Sequence, residues 1–304
     1  MANNYYGRSP KTKKKSGFRI FLFLILLLAL AGIALFSFTQ YLAIQSLQSE
    51  IGRLEEQLKN IEDENRMLWD QYDRVVEENH KLREENFMLR SSIVISHGSR
   101  NTNLVAITID DGAGPELIGK TLRILRENEV KATFFPMGSW VELHPEVWKQ
   151  AVEEGHELGN HTYNHAFLTT VSDERVKEEL NRWQEAIDSA LGFKYQTYFF
   201  RPPGMDGFTS PQGSTAKRYK EIIANKGMFA VLWDVELVYA LRNEAYTTAR
   251  ITEHVLTNAK GGSIVLLHFT ENDIAALPEI INGLRRRGLE PCSLSELLLA
   301  EMQT

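Results

Sequence analysis

A run of twenty residues without a charged side chain, residues 20–39, constrains this 304-residue chain more than any other feature. Twenty apolar residues are long enough to cross the hydrocarbon core of a bilayer as a helix. The preceding residues 1–19 carry six lysines and arginines and no acid. Because positively charged flanks stay on the cytoplasmic side, we predict a basic cytoplasmic tail over 1–19 and a transmembrane signal-anchor helix over 20–41. The chain would then be a single-pass protein of the cell membrane, with its C-terminal part outside the cytoplasm.

A cleaved signal peptide is the alternative interpretation of this segment. Residues 29–31 (Ala-Leu-Ala) form an acceptable cleavage sequence, but the apolar run continues to Phe38, where a cleavage region should turn polar. The sequence therefore favours an uncleaved anchor. Cys292 is the only cysteine, so no intrachain disulfide can form, and an exported domain must be stabilised by its hydrophobic core.

Residues 44–93 repeat with a period of seven. The first series of the repeat is Ile44, Ile51, Leu58, Asn65, Tyr72, Asn79, Asn86 and Ile93, and the second is Leu47, Leu54, Ile61, Leu68, Val75, Leu82 and Leu89. Unbroken heptads are typical of a coiled coil, and asparagines in the apolar seam favour a parallel pair. We predict a coiled-coil stalk over 42–95 that forms a parallel homodimer through 44–93. The alternative is one amphipathic helix packed on its own globular domain.

Strand-like and helix-like segments alternate beyond the heptads. The strand-like segments are 104–110, 131–137, 157–161, 197–201, 229–236, 263–268 and 289–292. The clearest helix covers 172–191 and ends at Gly192, and the last helix opens with the capping-box sequence Ser293-Leu-Ser-Glu296. Seven strand-then-helix units predict an α/β domain over 96–304 with a parallel sheet, open or closed into a barrel.

Residues able to bind metal or transfer protons cluster at the ends of the predicted strands. They are Asp110, Asp111, His161, Arg201, Glu236 and His268. In parallel α/β folds, active sites assemble at the C-terminal ends of the strands. One carboxylate and two histidines can hold a catalytic metal, which leaves a second carboxylate and a third histidine for proton transfer. The pattern indicates metal-assisted hydrolysis.

Four short stretches carry a resemblance to a known family. They are Thr108-Ile-Asp-Asp-Gly112, His161-Thr-Tyr-Asn-His165, Arg201-Pro-Pro and Ile264-Val-Leu-Leu-His268. In their order and spacing, they resemble successive motifs of the polysaccharide deacetylases, the NodB-homology carbohydrate esterases. The resemblance implies a distorted (β/α)7-type barrel and a metal-dependent hydrolase that removes acetyl groups from N-acetylated sugars.

The same resemblance implies that Asp111, His161 and His165 are metal ligands. Histidines four residues apart lie on one side of a helical turn, so we expect both imidazoles to reach one ion. For that spacing alone, a solvated or core pair of histidines is the alternative. Mixed nitrogen and oxygen ligands suit Zn²⁺, and the same set accepts Co²⁺, Fe²⁺ or Mn²⁺.

Other residues receive roles in catalysis from the resemblance. Asp110 would be the general base, and His268 would be the general acid that protonates the departing amine. Arg201 would hold Asp110 through a charge-assisted hydrogen bond, with a surface or interdomain ion pair as the alternative. Gly204 provides the first backbone N–H after two prolines, and we expect this N–H to point into the site and stabilise the oxyanion.

The chain departs from the family pattern in two places. Gly204-Met205 stands where the family has an aromatic residue and then glycine, so an aromatic wall of the sugar site is missing. Val238 and Tyr239 stand where the family has a second acid, which supports the catalytic histidine, and a tryptophan. Either Asp234 or Glu236 replaces that support, or His268 is a poorer acid.

Together these features predict a membrane-anchored hydrolase that removes N-acetyl groups from an extracytoplasmic glycan, with the amino sugars of peptidoglycan as the first candidate. The alternative is a deacetylase-like domain of low or no activity that acts as a cell-envelope scaffold or glycan-binding module. A net charge of −6 argues against a nucleic-acid partner.

Overall fold

The computed structural model describes residues 14–208, 214–237 and 246–300. It divides into two compact units, Met1–His80 and Lys81–Thr304, which we describe separately. Helix α1 (Lys14–Ser92) contains both the apolar segment and the heptads. Among the described residues, it is the one helix that is long and apolar enough to cross a membrane. Membrane insertion, the direction of insertion and coiled-coil pairing stay predictions, as do the domain boundaries.

The second unit is built on two parallel sheets. The strands are β1 (Val94–Ile95), β2 (Leu104–Asp111), β3 (Thr133–Pro136), β4 (Glu157–Leu158), β5 (Phe199–Phe200), β6 (Phe229–Val231), β7 (Ile264–His268) and β8 (Glu290–Cys292). One sheet has the order β4-β3-β2-β7, with β8 also pairing with β2, and the other has the order β1-β6-β5. The isolated bridges Asn160–Phe200 and Val235–Val265 connect the two sheets.

The predicted α/β fold with parallel strands is therefore confirmed, whereas the closed barrel stays a prediction. Strands β2–β8 overlap the seven predicted strands, and most of them are shorter than predicted. Strand β1 was not predicted. It is two residues long, and one residue separates it from the end of α1. It pairs in parallel with β6 through Val94–Ala230 and Ile95–Val231.

Helices follow the strands as the alternation predicts. They are α2 (Pro115–Glu127), α3 (Gly138–Leu143), α4 (Pro145–Glu153), α5 (Asp173–Leu191), α6 (Ser214–Asn225), α7 (Thr248–Asn258), α8 (Glu271–Arg286) and α9 (Leu294–Leu299). Helix α5 begins at an N-cap, Ser172, and ends at Gly192, whose φ of 76° is readily adopted only by glycine. Both hydrogen bonds of the predicted Ser293–Glu296 capping box are present in α9.

Two hydrophobic clusters cover the two faces of β2, and the larger one is the main core. Val105, Ile107 and Ile109 on one face have no exposed surface, and neither does Ala106 on the other. A strand buried on both faces appears in the sequence as a continuous apolar run, because neither face meets water. Asp110, near the C-terminal end of this strand, is thus carried into a dry environment.

His156 is a buried histidine that belongs to this core rather than to the strand ends. It is 4% exposed, and its Nδ1 accepts a hydrogen bond from the backbone N–H of Ala132 at 3.1 Å. Its ring lies edge-on to Phe134, with centroids 5.3 Å apart. Burial, assisted by the nearby charge of Lys131, lowers the pKa of His156 from 6.5 to about 4.

The lowered pKa predicts that His156 weakens the fold in acid. The folded state favours the neutral ring. Its contribution to the free energy of unfolding is therefore fully present above pH 6.5 and is lost progressively as the pH falls toward 4. A shift of this size corresponds to about 3 kcal/mol. In His156→Asn, whose side-chain oxygen can still accept the Ala132 N–H, the free energy of unfolding should fall less between pH 7 and pH 4.5 than in the wild type. Denaturant titrations at the two pH values measure this, and an equal fall in both proteins would contradict the prediction.

Candidate metal centre

Two adjacent carboxylates lie at the end of β2, and an unusual backbone conformation turns both toward one histidine. Neighbouring side chains of a regular strand point to opposite faces. Asp111 has a φ of 75°, which breaks that alternation. As a result, Nε2 of His161 lies 3.8 Å from Oδ2 of Asp110 and 3.5 Å from Oδ1 of Asp111. Asp110 is 2% exposed, whereas Asp111 is half-buried at the mouth of the site.

The two histidines are close together, but the predicted reason for their proximity was wrong. Residues 161–165 form a non-helical loop rather than a helical turn. Thr162 and His165 adopt φ values of 64° and 60°, and these left-handed residues bend the chain back on itself. The imidazole centroids of His161 and His165 are 5.0 Å apart.

Asp111, His161 and His165 together form a cluster that could hold one metal ion. One ligand atom from each residue lies within 4.8 Å of the other two. Oδ1 of Asp111 is 3.4 Å from Nε2 of His165, and this buried oxygen has no hydrogen-bond partner among the described residues. An orphaned carboxylate oxygen between two imidazoles fits a cation, since a buried charge needs a partner.

Hydrogen bonding fixes which nitrogen of His161 faces the cluster. Its Nδ1 lies 2.8 Å from the backbone carbonyl oxygen of Arg201. A carbonyl only accepts, so Nδ1 carries a proton and Nε2 is the nitrogen that faces Asp111. Backbone carbonyls orient metal-binding histidines in this way in many proteins.

The electrostatics of the cluster favour a positive charge. Burial opposes a charge on His161, but the carboxylates of Asp110 and Asp111 outweigh it and raise the pKa of His161. Burial and the neighbouring His161 lower the pKa of His165. Burial alone would raise the pKa of Asp111, but the proximity and charge of His161 lower it to about 2. An ionised Asp111 and a neutral His165 are the forms that bind metal, and a metal must displace the proton that His161 attracts.

Arg201 holds Asp110 as predicted, and the alternative of a surface ion pair is wrong. Its guanidinium is completely buried and donates from Nη1 to Oδ1 of Asp110 at 2.7 Å and to Oγ1 of Thr108 at 2.8 Å. It also donates to the carbonyl oxygens of Val231 and Leu232 and lies 4.1 Å from the ring centroid of Phe135. The carboxylate of Asp110 is therefore fixed in orientation.

His268 ends β7 directly beside Asp110, with which it is in register across the sheet. Its Nδ1 is buried and has no hydrogen-bond partner within the described ranges. The predicted replacements do not bond to it. Asp234 instead accepts from Arg100 at 2.7 Å and from the Ile264 N–H at 2.8 Å.

Glu236, the other predicted replacement, accepts from Nε1 of Trp233 at 2.6 Å. Burial raises the pKa of its carboxyl group. Glu236 also lies five residues beyond the end of β6 at Val231, and not at the strand end as predicted. Val238 and Tyr239 lie outside the described residues.

Gly204 occupies a short 3₁₀ turn, Pro203–Met205, with a φ of 58°. Met205 follows with a φ of 59°. The loop therefore bends sharply just after Arg201, and the direction of the Gly204 N–H stays a prediction.

Removing Arg201 should destabilise the fold, because the Asp110 carboxylate would then be left buried and unpaired. We expect Arg201→Met to lower the free energy of unfolding by about 3–5 kcal/mol. The matched control is Arg218→Met, which removes an ion pair to Asp173 whose arginine side chain is 52% exposed, and this should cost less than about 1 kcal/mol. Denaturant titration of both variants measures the difference, and equal effects would be evidence against the buried pair.

Comparison with known proteins identifies the relatives of this chain. A family model described as polysaccharide deacetylase matches residues 97–230. A peptidoglycan-N-acetylglucosamine deacetylase of Bacillus cereus is 36% identical over 203 residues, which cover 65% of this chain and 89% of that protein.

Solved structures share the fold. The Bc1960 peptidoglycan N-acetylglucosamine deacetylase has a TM-score of 0.59 at 27% identity, over 68% of this chain and 92% of that one. A mutant of BA3943, described as a CE4 family pseudoenzyme with restored enzymatic activity, has a TM-score of 0.59 at 29% identity, over 67% and 71% of the two chains. The family that the motifs resemble is thus confirmed, and the chain belongs to the polysaccharide deacetylases, a family of metal-dependent carbohydrate N-deacetylases.

Proposed function

We propose that the protein removes N-acetyl groups from an extracytoplasmic glycan, with the N-acetylglucosamine or N-acetylmuramic residues of peptidoglycan as the substrate. The observation that carries this proposal is the cluster of Asp111, His161 and His165 with the buried Asp110 beside it. The B. cereus relative is named for the deacetylation of peptidoglycan N-acetylglucosamine, which supports this choice of sugar.

Asp111, His161 and His165 would hold a divalent metal, with Zn²⁺ the first choice and Co²⁺, Fe²⁺ or Mn²⁺ as alternatives. When bound, such an ion supplies Lewis acidity that polarises the acetamide carbonyl. Two observations support these assignments: Oδ1 of Asp111 has no hydrogen-bond partner among the residues that the structure describes, and Nε2 of His161 faces the cluster.

The remaining residues would move protons and stabilise charge. Asp110, held by Arg201, accepts a proton from the water that attacks the acetamide carbon. The Gly204 N–H donates to the developing oxyanion. His268 donates a proton to the amine nitrogen as the C–N bond breaks, which leaves acetate and a free amino sugar.

We also propose the arrangement of the rest of the chain. Residues 1–19 form the cytoplasmic tail, 20–41 the membrane anchor, 42–95 the stalk and 96–304 the catalytic domain. The stalk pairs in parallel through 44–93. The two inter-sheet bridges support closure of the strands into a distorted barrel.

Acetate release tests the catalytic proposal. Full-length protein loaded with zinc in detergent should release acetate from peptidoglycan or chitin oligomers. Asp110→Asn should lower the rate by about 10²–10⁴-fold, the usual contribution of a general base. The control is Glu271→Gln, which changes an exposed carboxylate in an ion pair with Lys120 and should keep the wild-type rate. If metal-loaded wild type releases no acetate from any N-acetylated glycan, the deacetylase proposal fails.

Cysteine cross-linking tests the parallel pair. Leu68 belongs to the second heptad series, whereas Asp70 lies two residues later, on the outer face of a paired helix. The only native cysteine, Cys292, is buried. Under mild oxidation, Leu68→Cys should yield a disulfide-linked dimer on a non-reducing gel, and Asp70→Cys should yield little. Equal cross-linking of the two variants would argue against the predicted register.

A second candidate function is a scaffold or glycan-binding module of the cell envelope. The resemblance to BA3943, described as a pseudoenzyme, favours this interpretation, as does Nδ1 of His268, which has no hydrogen-bond partner in the described part of the chain. Metal analysis discriminates the two functions: a scaffold would purify without stoichiometric metal, whereas an enzyme would bind about one equivalent per chain.

A further inference from the structure

A carboxylate on the far side of the metal-binding loop contacts two of the three residues between the histidines. Oε2 of Glu179, on α5, accepts hydrogen bonds from the backbone N–H groups of both Tyr163 and Asn164, each at 2.9 Å. Its Oε1 is 3.5 Å from Nδ2 of Asn164. One side chain thus bonds to the centre of the segment from His161 to His165.

Glu179 has no exposed surface, and one arginine pairs with its carboxylate. Nη2 of Arg175, one helical turn earlier, lies 2.5 Å from Oε1. A buried carboxylate is costly unless it is paired and hydrogen-bonded. An apolar side chain would avoid this cost, but it could not accept hydrogen bonds from the two backbone N–H groups. We therefore attribute the buried carboxylate to these two hydrogen bonds.

The loop that Glu179 contacts has a strained backbone. Thr162 and His165 both have left-handed φ values without being glycine, and such residues persist only where the surroundings hold them in place. The carbonyl oxygens of the loop are bound from the other side, since Gly138 N–H donates to Thr162 and Ser139 N–H donates to Tyr163. Glu179 binds the opposing N–H groups.

We propose that Glu179, paired with Arg175, is a positioning residue that sets the metal affinity of the centre. It holds His161 and His165 in the ligand geometry before the ion arrives, so that binding does not have to order the loop. This inference rests on the proposed function only in taking the two histidines as metal ligands.

Metal affinity tests the proposal directly. Full-length, metal-free protein in detergent is titrated with zinc against a chromophoric chelator. Glu179→Gln leaves one neutral oxygen for both N–H groups and places an amide against Arg175. The variant should bind zinc about 10–100-fold more weakly, because the loss of a group that supports a metal ligand usually has an effect of this size. The matched control is Glu178→Gln, because the half-exposed Glu178 pairs with the same arginine at 2.9 Å but is not bonded to the loop. The control should bind zinc within about twofold of wild type.

Hydrogen exchange in the metal-free protein separates positioning from general stability. In Glu179→Gln, the Tyr163 and Asn164 amides should exchange faster, while those of β2 keep their protection. If Glu179→Gln does not fold, Arg175→Met keeps the carboxylate and removes only its partner, and a loss of affinity of several-fold is expected. Unchanged zinc affinity in whichever of the two variants folds would overturn the inference alone. A wild-type protein that binds no zinc would instead refute the proposed function and the inference with it.

Discussion

The buried ion pair between Arg201 and Asp110 is the interaction on which the rest of the site depends. Arg201 follows β5, and Asp110 lies at the end of β2. The other acceptors of the guanidinium are Oγ1 of Thr108, on β2, and two carbonyl oxygens at the end of β6. One cation therefore joins strands of both sheets at the point where their C-terminal ends meet. Its own backbone carbonyl orients His161, so the same residue positions one carboxylate and one imidazole.

The local geometry of the centre requires a strained backbone. Asp111, Thr162 and His165 are left-handed without being glycine, and all three lie in or between the proposed ligands. Each conformation costs on the order of 1–3 kcal/mol. The hydrophobic core around β2 and the hydrogen bonds on both sides of the histidine loop offset that cost. These left-handed conformations turn the side chains toward a common point. A regular strand or helix would direct them apart.

Much of this arrangement could be predicted from the sequence, because periodicity and strand-end placement are local signals. The alternation of strands and helices, the helix caps and the pairing of Arg201 with Asp110 were predicted and are present in the structure. The helical turn at His161–His165 was predicted wrongly, because spacing alone does not reveal left-handed residues. The hydrogen bonds of Asp234 depend on partners far along the chain, and that of Glu236 with Trp233 depends on the conformation of an irregular loop, so neither could be predicted. Glu179 was missed, although an acid three residues after Val176, on the apolar stripe of a predicted helix, was a signal that could have been used.

Strand β1 has a consequence for how this domain can be handled in isolation. In the order β1-β6-β5, Val94 and Ile95 cover one side of β6. A protein cut after Ile95 would leave β6 as an open edge, with free backbone groups able to recruit strands from other molecules. Truncated proteins that begin upstream of Val94 keep that edge paired. Shorter ones expose it and tend to aggregate, even when their catalytic residues are intact.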